Sequence, residues 1–430
     1  MVLLPGCAGR AMSLFDIAAI VVGLSAIFAL INHRWFRLPA TVGLFGIALG
    51  ASLVVLLADL VWPGLQIATV VRSVLLRIDL HDVLMEGLLS FLLFAGALHV
   101  DYGQLVRRRW AIGALATLGV LLSTALIGGA VWALSALAGM AMPFIWALVF
   151  GALISPTDPV AVLGILKESR VPASLEAKLA GESLFNDGIG IVVFTILLAV
   201  AVSGAGNVTT LQIGGLFLQE AVGGAVLGLG AGWLANRALA VVNDHSVEIL
   251  ITLATVMVTY AVALALHLSG PIAMVLAGLL IGNKGVQFAM SETSRNHVLS
   301  FWTVLDELLN SVLFLLIGAE VLIIALDFSL AAAALATIPV VLIARLVSVW
   351  VPIRMLAIRQ DFTPGAVPIL VWGGLRGGIA VALALSIPEN DVKPAILAMT
   401  YSVVLFSILV QGLTVTRLVA RVIGSPAAPR

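Results

Sequence analysis

Residues 113–139 read GALATLGVLLSTALIGGAVWALSALAG, 27 positions without a charged side chain. A helix rises about 1.5 Å per residue, so about 20 apolar residues cross the hydrocarbon core of a bilayer. The run is continuous, whereas strands of a membrane barrel alternate apolar and polar residues at every second position. It therefore predicts a membrane-crossing helix. Residues 17–31, IAAIVVGLSAIFALI, are a second such run. The whole chain agrees with them: of 430 residues, 62% are hydrophobic and 10% charged, and the mean hydropathy is +1.19. A soluble domain carries about 45–50% apolar and about 25% charged residues. This composition excludes a soluble enzyme, a disordered chain and a nucleic-acid binder. Twenty-two basic and 22 acidic residues leave no net charge to draw polyanions. The single cysteine, Cys7, excludes a disulfide framework and a multi-cysteine metal centre. The 41 glycines and 16 prolines fit packed transmembrane helices.

The fold class is thus an all-α polytopic membrane protein, one membrane domain over 1–430 with about thirteen transmembrane helices. The spans lie near 14–32, 40–58, 82–100, 110–138, 143–166, 177–203, 211–241, 247–267, 269–283, 301–325, 329–356, 365–387 and 394–421. Lys and Arg set the orientation. With the N-terminus outside, the cytoplasmic side holds 16 basic residues, among them Arg107, Arg108, Arg109, Lys167, Arg170, Lys178, Arg417 and Arg421. The outer side holds Arg10, Arg72, Arg77 and Lys393. The expectation is a multi-pass protein of the cell (inner) membrane, N-terminus outside and C-terminus cytoplasmic. Residues 1–11 lack the basic start and long apolar core of a signal peptide, and Met12 is read as the true start.

Two spans are interrupted. The fifth carries GALISPTDPVAV (151–162), with Pro156 and Pro159 around Thr157 and Asp158. The twelfth carries PILVWGGLRGGIAV (368–381), with four glycines around Arg376. Proline removes a helix donor and glycine weakens a helix. Unwound backbone at membrane depth survives only where protein or a water cavity satisfies it. Paired breaks at matching positions point to the binding site of a secondary transporter. The breaks lie seven spans apart, an odd offset, so spans 1–6 and 8–13 form an inverted repeat with span 7 as connector. Half-helix ends carry partial charges. Asp158 compensates N-terminal ends and Arg376 C-terminal ends in this reading.

Span 6 contains EAKLAGESLFNDGIGIVVFTILLAV (176–200). Glu182 with Asn186 and Ser183 with Asp187 are i, i+4 pairs, so the four polar groups share one helix face. An ionisable residue at membrane depth is costly and is read as functional. Carboxylate, hydroxyl and amide oxygens with unwound carbonyls are ligands for a hard monovalent cation. Desolvation penalises the charge of a carboxylate. A buried one is neutralised by a proton or by a cation, one at a time, and that exclusion is an exchange mechanism. Asp187 is the candidate exchanging group. One proton for one Na⁺ moves no net charge, which predicts electroneutral 1:1 exchange. Glu182 needs a counter-charge; Arg345 in span 11 is assigned as its structural ion-pair partner, with Arg376 as the competitor. Asp306 and Glu307 are read near the start of span 10. Glu220 and Glu320 line a funnel or lie at the interface, the interface being preferred.

SPTDPVAV, GESLFNDGIGIVVF, ARLVSVW and WGGLRGGIAVALAL, in this order, resemble the cation:proton antiporters of the NhaP/NHE branch. LLFAGALHVDYGQL and ELLNSVLFLLIGAEV resemble them too, and the likeness runs over roughly 14–421. The resemblance implies two crossed broken helices, spans 5 and 12. It also implies an elevator-type alternating-access mechanism in a homodimer. The dimerisation part would be approximately 14–100 and 211–325, and the transport core approximately 110–203 and 329–421. Na⁺ would be held by Asp187, Ser183 and the backbone at Thr157, and Asp158 and Asn186 would stabilise the crossed segments. The implied substrates are Na⁺ or Li⁺ and H⁺, with lipid around the protein and no other cofactor. The chain ends soon after span 13, so a bacterial member without the long regulatory tail of large eukaryotic members is expected.

A K⁺/H⁺ antiporter on the same fold is the alternative, since the motif leaves the cation open. A passive cation channel is a remoter one, because one titratable site in an inverted repeat differs from a pore of charged or carbonyl rings. An intramembrane hydrolase using Ser183 with His245 or His267 fails because GESLF lacks the GxSxG spacing. The six histidines (His33, His81, His99, His245, His267, His297) are expected at span ends or loops, without metal-ligand spacing.

Overall fold

The computed structural model describes residues 13–62, 69, 71–72, 83–137, 139, 142–158, 173–204, 209–283, 290–322, 328–357 and 365–423. Residues 1–12, the second half of the fifth span from Pro159 onward, Lys167 and Arg170 lie outside them. Among the described residues all regular structure is helical apart from one isolated bridge, Asp158 to Leu375. Nine described helices are long and apolar enough to cross a membrane, and three shorter apolar ones accompany them.

In chain order the helices are α1 (Phe15–Phe36), α2 (Ala40–Val61), α3 (Val83–His99), α4 (Arg109–Leu137) and α5 (Phe144–Ile154). There follow α6 (Ala173–Ser203), α7 (Leu211–Leu239), α8 (His245–Ala265), α9 (Gly270–Asn283) and α10 (Glu292–Glu320). The last are α11 (Phe328–Leu356), α12 (Ala366–Gly373), α13 (Gly378–Leu385) and α14 (Lys393–Val422).

Local chemistry starts and stops these helices. Ser13 and Asp16 form a capping box ahead of α1, and Thr209 and Gln212 form another ahead of α7. Asp244 caps α8 by accepting from Ser246 N and Val247 N at 2.8 and 3.2 Å. Ser269 caps α9, with Pro271 in its first turn. The helix of α5 ends at Ile154, just ahead of Pro156. Between α12 and α13 the stretch 374–377 is non-helical, and the twelfth span is two half-helices.

The chain divides into two compact units, 1–79 with 310–323 and 80–309 with 324–430. In the first, Ser52 Oγ donates to the Gly318 carbonyl at 3.1 Å. Gly318 sits so close to α2 that a Cβ there would lie 2.6 Å from that of Ala48. The second unit holds the broken helices. Lipid tails are as apolar as leucine, so helices associate here through close packing. A Cβ at Gly151 of α5 would lie 2.4 Å from the Thr124 carbonyl oxygen of α4, and one at Gly228 of α7 would lie 2.3 Å from that of Ala273 in α9. Buried Leu115, Leu179, Val349, Ile369 and Val415 join α4, α6, α11, α12 and α14 into one core.

Two expectations shift. The tenth helix starts at Glu292, not near 301. Its first turns, ETSRNHVLS, are too polar to read as a span, yet they continue the helix beyond the apolar part. Asp306 and Glu307 therefore lie well inside α10. His297 is helical rather than in a loop, and its ring stacks on His245 with centroids 4.6 Å apart.

Candidate functional site

The site is assembled from α6, the end of α5 and the break between α12 and α13. The i, i+4 spacing on α6 buries Glu182, Ser183, Asn186 and Asp187 together, with Thr157 also buried. Asn186 grips Thr157 in the unwound segment after α5 twice, once at its backbone and once at its side chain: Thr157 N donates to Asn186 Oδ1 at 3.3 Å, and Asn186 Nδ2 donates to Thr157 Oγ1 at 2.8 Å. Ser183 Oγ donates to the Thr157 carbonyl. Asp187 is 6% exposed, and its Oδ1 has no hydrogen-bond partner among the described residues. Among the described residues, Asp158 and Arg376 are the charged groups that act on it. A carboxylate oxygen left unpaired next to a hydroxyl and an unwound carbonyl has the donor chemistry for a proton or a bare alkali cation.

The two unwound segments meet through backbone. Asp158 N donates to the Leu375 carbonyl at 2.8 Å. The Asp158 carboxylate lies against Gly377, where a Cβ would fall 2.5 Å from Oδ2. Gly377 is the N-cap of α13, so this negative charge sits at the positive end of a half-helix. Arg376 reaches the other way, with Nη1 donating to the Ser155 and Pro156 carbonyls at 2.6 Å each. Those carbonyls end α5, the negative end of its half-helix. Ser407 Oγ accepts from Arg376 N at 2.8 Å and fixes the break from α14.

Arg345 of α11 donates to Glu182 Oε1 at 2.5 Å; the side chains of Arg345 and Glu182 are 7% and 1% exposed. Arg376 makes carbonyl bonds instead. Arg345 has a second duty absent from the sequence reading: its Nη2 donates to the Leu370 carbonyl at 3.0 Å, in the last turn of α12. Gly374 admits the guanidinium there, since a Cβ would lie 2.7 Å from Nε. Gly190, one turn beyond Asp187, packs on Pro156, where a Cβ would fall 2.4 Å from the ring. Gly190 carries no signal in one sequence, and Gly374 signals the break but not the guanidinium it admits. Ser407, a lone hydroxyl in the apolar run VVLFSILV, did carry one.

Lys178, counted above among the basic residues of the cytoplasmic side, is buried in α6, four residues before Glu182. Glu320, read as interfacial, is buried in the last turn of α10, and Glu220 is half-buried on a π-helical turn of α7. Among the described residues no cluster of three His, Cys, Asp or Glu side chains has metal-binding geometry.

The family model for the transmembrane sodium/hydrogen exchanger matches residues 23–421. The chain belongs to the sodium/hydrogen exchanger family. Within this family it is 45% identical over 415 residues to the Na⁺/H⁺ antiporter NhaP of Pseudomonas aeruginosa, covering 95% of this chain and 97% of that protein. It is 34% identical over 337 residues to the Na⁺/H⁺ antiporter NhaH of Halobacillus aidingensis, covering 76% of this chain and 79% of that one. Its fold is that of the sodium proton antiporter MjNhaP1 from Methanocaldococcus jannaschii. The TM-score is 0.72 at 20% identity, covering 96% of this chain and all of the other. The exchanger family thus accounts for the many-spanning helical architecture, and the relatives named here are antiporters.

Proposed function

We propose that this protein is a secondary active antiporter of the cell membrane, exchanging one Na⁺ or Li⁺ for one proton without net charge movement. The observation that carries this reading is the buried Asp187 carboxylate. Its Oδ1 has no donor among the described residues, while Ser183 and Asn186 lock the neighbouring unwound segment at Thr157. Proton and cation compete for Asp187; Ser183 Oγ and the Thr157 carbonyl complete the cation's oxygen shell. Asn186 cannot titrate, so a single charge alternates. Asp158 and Arg376 hold the crossed half-helices by compensating their dipoles, and Glu182 with Arg345 braces α6 against α11.

The transport core, approximately 110–203 and 329–421, moves like an elevator against the dimerisation part, approximately 14–100 and 211–325, in a homodimer. The N-terminus faces out and the C-terminus the cytoplasm, following the excess of cytoplasmic Lys and Arg. The names of the NhaP and NhaH relatives support Na⁺ as the cation. The test is exchange in proteoliposomes under a voltage imposed by valinomycin and a K⁺ gradient. An unchanged rate is expected. A rate that follows the voltage refutes the 1:1 stoichiometry.

A further inference from the structure

We propose that one water molecule binds between the guanidinium groups of Arg345 and Arg376 and bridges the two helix breaks. Both side chains line one cavity of about 10 Å³ between α11, the α12–α13 break and α14. A buried water needs about 10–15 Å³. Arg345 and Arg376 are 5% and 2% exposed, and each keeps one buried N–H without an acceptor among the described residues: Nε of Arg345 and Nη2 of Arg376. An unpaired buried donor is costly, and a donor on a charged group more so. Gln411 lines the same cavity; its Nε2 donates to the Trp372 carbonyl at 3.2 Å, and its Oε1 offers an acceptor for a water proton. Two donors and one acceptor match the three hydrogen bonds typical of a buried water. Val341, Val371, Val403 and Phe406 are apolar walls that compete for none of these bonds, and the non-helical backbone at Gly374 completes the lining.

Charge selects water over a halide. Glu182 already neutralises Arg345 at 2.5 Å. Arg376 faces the like charge of Arg345, but Glu182 and Asp187 oppose it and two half-helix carbonyls accept from its guanidinium. A halide would add an uncompensated charge inside the bilayer. Arg345 caps α12 at Leu370 and Arg376 caps α5 at Ser155 and Pro156. The bridge therefore joins the Glu182–Arg345 pair to the Asp187 side of the site, so a shift of one break is felt at the other.

The test is a crystal structure of the full chain at a resolution showing ordered water, grown once in chloride and once in bromide. Expected is one density peak within hydrogen-bonding distance of Arg345 Nε and Arg376 Nη2, with no anomalous signal in bromide. An anomalous peak there, or no peak, overturns the proposal. Radiolytic labelling with ¹⁸O-water is an independent readout on the protein in solution. Val403 is 3% exposed, so a bound water should label it several-fold above Val349, which is fully buried away from the cavity. Equal labelling of the two would also overturn the proposal.

Discussion

Removing either partner of the Glu182–Arg345 pair should destabilise the protein more than removing both. For unit charges about 4 Å apart the attraction is about 4 kcal/mol at an effective dielectric constant of about 20. Desolvation of both groups offsets much of this, so the pair adds little net stability. Breaking it is different, because a lone buried charge remains and typically costs about 3–5 kcal/mol. Glu182→Ala strands Arg345, whose remaining side-chain bond is to the Leu370 carbonyl. Arg345→Ala strands Glu182 and also uncaps α12, adding about 1–2 kcal/mol for the lost charge-assisted bond. Arg345→Ala is thus the worse single change. In the double variant no stranded charge is left and only the lost cap, about 1–2 kcal/mol, remains, so its loss should fall below that of either single variant and well short of their sum. The assay is equilibrium unfolding in mixed micelles of wild type, both single variants and the double variant. Additive losses would refute the pairing, and a smaller loss for Arg345→Ala than for Glu182→Ala would refute its role as a cap.

Four further outcomes follow. Gly190→Ala forces a Cβ to 2.4 Å from the rigid Pro156 ring and should cost about 1–3 kcal/mol with a loss of exchange; Gly129→Ala, with open space around it, should leave exchange unchanged. Ser183→Ala removes a cation ligand and the bond to the Thr157 carbonyl, and should raise the apparent KM for Na⁺ about five- to tenfold, in line with about 1 kcal/mol per hydrogen bond; an unchanged KM places the cation elsewhere. Arg376→Leu strips the Ser155 and Pro156 carbonyls of their donor and should abolish exchange and lower the unfolding temperature. At the start of α8, hydrogen bonds from Val247 N and Ser246 N hold the Asp244 carboxyl below its ordinary range; its cap is fully present above the usual Asp value and is lost as pH falls through the lowered one. Hydrogen exchange at Ser246 and Val247, corrected for intrinsic rates, should therefore show weaker protection on acidification in wild type but not in Asp244→Asn.

Much of the architecture is legible because the bilayer demands it. Runs such as 113–139 have no alternative to a helix in lipid, and α4 covers Arg109–Leu137. The breaks are legible for the converse reason: SPTDP and GGLRGG are sequences a membrane helix avoids unless something rewards the interruption. The shared face of Glu182, Ser183, Asn186 and Asp187 follows from helical period alone. What escapes is whatever depends on approach between distant segments. Nothing local announces that Gly190 abuts Pro156, or that Gly374 makes room for Arg345 to reach Leu370. The burial of Lys178 escapes too, because a charge near a span end reads as exposed, whereas the helix of α6 begins at Ala173 and carries it inside. The start of α10 was placed late because polarity was taken to end the helix, when it marks only the end of the apolar stretch.

The most direct test of the central claim loads proteoliposomes with a pH-reporting dye, imposes an acid-inside gradient under voltage clamp, and adds Na⁺, Li⁺ or K⁺ in turn. The account predicts dye recovery with Na⁺ or Li⁺ in the wild type and none in folded Asp187→Asn. Recovery with K⁺ alone would reassign the cation. Wild-type turnover by Asp187→Asn, or no recovery with any cation, would contradict the account.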